Sequence, residues 1–249
     1  MPEKVVIIIP TYNERENISM IIPKLENIFL KIPNYEMNIL IFDSNSPDGT
    51  AEGVKDFQKK YNNIFLLTET EKSGLGNAYI QAMTYADAQL HADIIFEFDA
   101  DGSHNPDYLP EMMKAFDYGA TVVTGSRYIL GGSIPANWAF HRKVLSVLGN
   151  LIARLLLTFS LKDFTTGFRG TRITALQKIN LATLKSKGYA YKIHLLWQLY
   201  RQGEKIEEVP IHFIDRNVGV SKLPKNNIIE SLMMVMLLRW KIIKKYILW

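Results

Sequence analysis

Two aspartates close the stretch "IIFEFDADGSHNP", Ile94 to Pro106: a strand-like apolar run leads directly to Asp99 and Asp101. Like charges repel and burial penalises each of them, so the pair calls for either open water or a cation. In an extended segment, residues i and i+2 point to the same side. Asp99 and Asp101 are therefore expected to share one hard divalent cation, Mg²⁺ or Mn²⁺, whose remaining positions go to water and phosphate oxygens. The bland alternative is a turn in which Asp101 caps a helix starting near Pro106. Three chemistries could use the pair. Glycoside hydrolysis fits poorly, because its two carboxyl groups stand on opposite sides of a bond, about 5 to 9.5 Å apart. A metal-dependent phosphatase with an aspartyl nucleophile is a rival. Transfer of a sugar from a nucleotide diphosphate, with the metal neutralising the leaving group, explains more of the surrounding residues.

The elements that must position the pair can be read from hydrophobic periodicity. Strand-like runs are "KVVIII", "MNILIF", "NIFLLT", "DIIFEF" and "ATVVTG". Between them, Ile18, Ile21, Ile22, Leu25, Ile28 and Phe29 fall at helical spacing, as do Val54, Phe57 and Tyr61, and then Ala78, Ala82, Met83 and Ala86. Pro23 fits the first helix if that helix begins near Asn17 and keeps the proline close to its first turn. Strand alternating with helix predicts an α/β fold, a mostly parallel sheet with helices on both faces. In such sheets ligands bind beyond the carboxyl ends of the strands. Those ends read "PTYNERE", "DSNSPDGT", "DADGSHNP" and "GSRY", so polar and acidic residues gather at one edge. After the third strand, Gly74 and Gly76 stand at a helix start, a weak phosphate-binding signal.

Composition narrows the setting. The 249 residues are enough for one large α/β domain, and the absence of cysteine excludes disulfides and thiolate metal sites. "MPEKVVIIIP" does not read as a signal peptide, and no apolar run reaches the roughly 20 residues that span a bilayer. Net charge is +4, with acidic side chains concentrated in the first half and basic ones in the second. A basic half suits nucleic acid, anionic lipid or a phosphorylated ligand.

Six motifs in order, "IIIPTYNERENI", "FDSNSPDGT", "FDADGSHNP", "GSRY", "DFTTGFR" and "EVPIHFIDRNVGVSK", resemble family 2 glycosyltransferases, and within them the polyprenol-phosphate (dolichyl-type) mannose synthase group. The resemblance runs from about Val5 to Lys222. "DADGS" alone also looks like the haloacid-dehalogenase nucleophile motif, but that family wants it on an early strand with a later Gly-Asp-x-x-x-Asp, which is missing here. The glycosyltransferase resemblance implies a GT-A fold, inverting transfer from GDP-mannose, a divalent cation and a polyprenyl phosphate acceptor. UDP-glucose is the alternative donor. By the same resemblance Pro10, Tyr12 and Glu14 hold the nucleotide, Phe42 and Ser44 line the base and ribose, and Asp99, Ala100 and Asp101 flank the diphosphate and metal. Ser103 joins the metal ligands, and Lys192 binds the donor. Ser44 stands where the family usually has a second Asp, Ser103 where many members have Gln, and His194, Leu195 and Leu196 where a Glu is common.

A polyprenyl phosphate is already an anionic nucleophile, so positioning and charge relief matter more than a general base. Arginine forks pair bidentately with phosphate. Arg127, Arg142, Ser146 and Arg169 are expected on the acceptor phosphate, and Arg216 and Lys222 in a glycine-punctuated loop that closes over the donor diphosphate. Asp101 and Arg127 are the expected catalytic pair.

Two segments look membrane-directed. "RKVLSVLGNLIARLLLTFSLK" sets Val144, Val147, Leu148, Leu151, Ile152, Leu155 and Leu156 on one helical face, and "NIIESLMMVMLLRWKIIKKYILW" mixes apolar bulk, basic charge and aromatics. A core helix or a dimer contact would explain either one less completely. The expected organisation is a catalytic domain over residues 1–227, with an interfacial helix around 142–161, and an amphipathic membrane-surface segment over 228–249. The expected partners are a nucleotide-diphosphate sugar, a polyprenyl phosphate and the cytosolic face of a membrane, with or without an anchoring subunit, and no nucleic acid.

Overall fold

The computed structural model describes residues 1–184, 186, 188–215 and 226–247. Its centre is a seven-stranded sheet of β1 (Glu3–Thr11), β2 (Tyr35–Asp43), β3 (Ile64–Thr68), β4 (Ile94–Glu97), β5 (Val122–Ser126), β6 (Arg169–Arg172) and β7 (Ile206–Pro210), in the order β3-β2-β1-β4-β6-β5-β7. All pairs are parallel except those of β6, which runs antiparallel to β4 and β5. The chain leaves β1 toward β2 and β3 on one side and returns to β4 on the other. The switch point therefore lies between the carboxyl ends of β1 and β4, where open α/β sheets bind ligands.

The alternation of β1 explains the two layers. Val5, Ile7 and Ile9 pack under α1 (Arg15–Phe29) and α4 (Leu109–Asp117), with Val54 of α2 (Thr50–Gln58) in the same cluster. Val6 and Ile8 face α3 (Leu75–Ala88), the short α6 (Ile173–Leu176) and α7 (Ala190–Arg201). A third cluster joins α5 (Phe140–Leu156), α7 and α8 (Asn226–Ile247) through Ala153, Ile193, Leu196, Met234, Val235 and Leu238.

Two local expectations are corrected here. α1 begins at Arg15, so Pro23 sits in mid-helix rather than in the first turn. The residue four before it, Ser19, is exposed, which lets the carbonyl that loses its N–H partner face water. Phe42, expected beside the nucleotide base, is 1% exposed and packs in the core layer under α3. Strands β6 and β7 were not legible as strands, because "RGTR" and "IEEVP" carry neither the apolar run nor the strict alternation that marks one. No helix among the described residues is long and apolar enough to cross a membrane.

Candidate active site

Beyond Glu97 the chain leaves the sheet. Asp101 lies in a turn, not in the extended segment expected, with Gly102 at φ 79°, a conformation suited to glycine. Asp101 Oδ1 accepts the Ser103 N–H at 3.1 Å, while the cap of the turn at Pro106–Tyr108 is Asn105, whose Oδ1 accepts from Asp107. The capping role considered for Asp101 thus belongs to Asn105.

Asp99 faces inward to a built cluster. Lys192 Nζ, from the first turn of α7, lies 3.2 and 3.3 Å from its two oxygens, and the Tyr79 hydroxyl donates to Oδ1 at 3.1 Å. The Asp99 backbone N–H donates to His104 Nδ1 at 3.0 Å, which leaves the hydrogen of a neutral imidazole on Nε2, 3.6 Å from Asp99 Oδ2. Burial pushes the Asp99 carboxyl up, but the Lys192 ammonium beside it prevails and holds it at about 2. Burial carries His104 down to about 4, so the ring is neutral at pH 7 and its acceptor lone pair is already used.

Gly167, from the "TTGFR" motif, makes room for this cluster. A Cβ there would fall 2.2 Å from Lys192 Nζ and 3.1 Å from both Asp99 Oδ2 and His104 Cε1. Because the nearest atom is the tip of a flexible side chain, Gly167→Ala is expected to fold normally and to push Lys192 off Asp99. Activity should then fall by about 10², since misplacement by about 1 Å costs that much, and the melting temperature should fall with it because a buried ion pair is broken. Parallel kcat and thermal-melt measurements check this.

The arginines separate. Arg127 follows β5, and its Nε and Nη2 donate to the buried Asp163 at 2.8 Å each, with Nη2 also reaching Thr165 Oγ1 at 2.6 Å. Asp163 is itself fixed by a clamped loop: Glu208 accepts the N–H groups of Lys162 and Asp163, and Asn150 of α5 accepts that of Phe164 and donates to the Lys162 carbonyl. Arg142 stacks over Trp138, 3.9 Å from the ring centroid, and meets Asp215 only at 3.3 to 3.4 Å. Ser146 shares a 2.7 Å hydrogen bond with Tyr128. Arg169 is the correction. It is 1% exposed on β6, its Nε donating to Glu97 Oε2 and its Nη1 to the Lys192 carbonyl, so it cannot reach an acceptor phosphate.

These groups border one cavity of about 440 Å³. Asp99, Asp101, Ser103, His104 and Lys192 lie along it, as do Arg127, Arg142 and Ser146, while α5 and α8 add Leu145, Leu232 and Val235. Pro10, Tyr12, Glu14 and Ser44 stand outside it, at or beyond the carboxyl ends of β1 and β2. Tyr12 has Lys72 Nζ 3.6 Å above its ring, Glu14 accepts from Asn17, and Ser44 is buried with its N–H on the Thr11 carbonyl. Ala100 is buried beside a small crevice against α1, and Asp101 borders both that crevice and the cavity. Arg216 and Lys222 lie outside the described residues.

No group of three or more His, Asp or Glu that could hold a metal occurs among the described residues. The donor set is two carboxylates with a nearby hydroxyl. That fits Mg²⁺ or Mn²⁺, which usually keep waters and substrate phosphates as most of their ligands, and it does not fit an all-protein cage. Lys192 already meets the charge of Asp99.

The mostly parallel seven-stranded sheet, with its cavity beyond the carboxyl ends of the strands, has a GT-A-like architecture. Residues 6–179 match the model of Glycosyl transferase family 2, and the chain belongs to that family. It is 37% identical over 234 residues to a polyprenol monophosphomannose synthase of Mycolicibacterium smegmatis, covering 94% of this chain and 86% of that one. It is 36% identical over 237 residues to an undecaprenyl-phosphate mannosyltransferase of Micrococcus luteus, covering 95% and 93%. Among solved structures, glucosyl-3-phosphoglycerate synthase of Mycobacterium tuberculosis, bound to Mn²⁺, UDP and glucosyl-3-phosphoglycerate, superposes with a TM-score of 0.67 at 16% identity, over 95% of this chain and 80% of that one.

Tyr79, His104, Asp163, Glu208 and Asn150 escaped the sequence reading. His104, Asp163 and Glu208 stand inside quoted motifs, "DADGSHNP", "DFTTGFR" and "EVPIHFIDRNVGVSK", so a signal existed. The others act through contacts between distant segments.

Proposed function

We propose that this glycosyltransferase moves mannose from GDP-mannose to a polyprenyl phosphate, with inversion at the anomeric carbon, at a membrane surface. The supporting observation is the single cavity that runs from the acidic pair past Arg127 and Arg142 to the apolar walls of α5 and α8. Its polar end suits two phosphates, and its apolar end suits a hydrocarbon chain. The two curated relatives named for polyprenyl-phosphate mannosyl transfer agree with this reading.

A phosphate oxygen of the acceptor attacks the sugar C1, forming the C1–O bond as the bond from C1 to the leaving diphosphate breaks on the opposite face. No proton has to move. This suits a site whose neutral His104 has its acceptor nitrogen occupied by the Asp99 N–H. Arg127, its fork anchored on Asp163, orients the acceptor phosphate, and Arg142 supplies charge at the cavity mouth. A divalent cation at Asp101, with Asp99 and Ser103 beside it, would offset the charge of the leaving diphosphate. On the donor side, Pro10, Tyr12, Glu14 and Ser44 approach the nucleotide from β1 and β2, and Lys192 the diphosphate, to which the resemblance also assigns Arg216 and Lys222.

α5 exposes Val144, Leu148, Leu151 and Leu155, and α8 exposes Met233, Met236 and Trp240. Residues 1–227 form the catalytic unit in this reading, while α8, from the segment assigned to the membrane, also walls the cavity through Ser231, Leu232 and Val235. Shallow burial of these faces in the cytosolic leaflet brings the cavity to the headgroup level where a lipid phosphate lies. Met236→Glu is expected to lower co-sedimentation with anionic vesicles by about tenfold, the cost of burying a charge at the interface. Transfer to vesicle-borne acceptor should drop with it, and transfer to a short soluble prenyl phosphate should not. Unchanged sedimentation would mean that α8 does not face lipid. Parallel assays with GDP-mannose and UDP-glucose fix the donor, and transfer only from UDP-glucose would overturn the mannose assignment.

A further inference from the structure

Along the cavity face of α5, Arg142, Leu145, Ser146, Gly149 and Asn150 recur at helical spacing. Gly149 has no partner that explains it. After proline, glycine is the residue a helix interior favours least, and Gly149 lies in the middle of a 17-residue helix. Neither usual reason for a helical glycine applies. It is not among the glycines with positive φ, and a Cβ added to it would meet nothing within 4 Å. At Gly170, by contrast, a Cβ would lie 2.7 Å from the Phe96 ring. The protein does not need the space over Gly149, yet that space belongs to the cavity.

The geometry points to a ligand group over Gly149: the phosphate-proximal isoprenyl unit of the acceptor. Ser146 lies about one helical turn before Gly149 and Arg142 about two, so a phosphate held there places the start of its chain over the glycine. From α7 and α8 the cavity is walled by Ile193, Leu232 and Val235 beside the single hydroxyl of Ser231, and a sugar or nucleotide would leave most of its hydroxyls unpaired against the apolar three. This inference rests on the lipid-phosphate reading of the cavity and deepens it. Gly149 becomes the residue that admits a methyl-branched chain between α5 and α8.

Gly149→Ala and Gly149→Leu, in the full chain, test it with farnesyl phosphate as acceptor. The alanine variant should melt about 2–4 °C higher, because its helix is favoured and nothing is displaced. Its KM for farnesyl phosphate should nevertheless rise, and that of the leucine variant should rise by about tenfold or more. The KM for GDP-mannose should stay at the wild-type value in both. Three results would overturn the assignment: a leucine variant with wild-type acceptor KM, a lowered melting temperature in the alanine variant, or equal rises in both KM values. A wild type that transfers nothing to any prenyl phosphate would overturn the proposed function as well. An active wild type with an indifferent leucine variant overturns only the role of Gly149.

Discussion

Asp101→Ala is expected to lower metal-dependent sugar transfer by about 10³-fold or more while the protein melts at its normal temperature. The size follows from the chemistry: removing one preorganised group that stabilises charge on a leaving oxygen commonly costs 10² to 10³, and here a cation's protein ligand goes with it. The fold is expected to survive because Asp101 lies in a turn outside the sheet. Asp99→Ala should behave differently. It strands Lys192, which is 2% exposed, and so should destabilise as well as inactivate. Rates and melting curves on both variants separate the two aspartates, and near-normal turnover in Asp101→Ala would refute the metal-ligand role.

The second large effect is on stability. Arg169 and Glu97 are each 1% exposed, and Glu97 also receives the Tyr191 hydroxyl. Arg169→Met leaves a carboxylate buried without its cation, which costs about 3–5 kcal/mol. At about 2–4 °C per kcal/mol for a chain near this size, the melting temperature should fall by roughly 6–20 °C. Adding Glu97→Gln should recover much of that loss, because the uncompensated charge goes too. Without the Arg169 bond to the Lys192 carbonyl, the start of α7 also loosens, so some activity should be lost even below the melting point. A variant that kept its stability and lost only acceptor affinity would return Arg169 to the phosphate site.

Much of the architecture was legible because the signals were local. Five strands, the helices between them and the gathering of polar strand ends all follow from periodicity and the parallel-sheet rule. The acidic pair was legible for the same reason, as charge at the end of an apolar run. What could not be read depends on which distant segments meet. A motif arginine looks the same whether it faces a ligand or a buried glutamate. Arg169 lies one strand away from Glu97 across an antiparallel pair that "RGTR" does not announce. Phe42 misled in the same way: it directly precedes the polar end of β2, but its side chain packs in the core layer under α3. Lys192 was found by resemblance, and its ion pair with Asp99 only by structure.

The central claim is one cavity in which a lipid phosphate displaces a nucleotide diphosphate from mannose. The most direct test incubates the full chain with GDP-mannose, a short polyprenyl phosphate and Mn²⁺ or Mg²⁺, and reads the product by proton and phosphorus NMR. The account predicts equal amounts of GDP and a β-linked mannosyl phosphoprenol, formed only with the divalent cation present. An α-linked product, inorganic phosphate, or GDP-mannose consumed without a lipid product would contradict it.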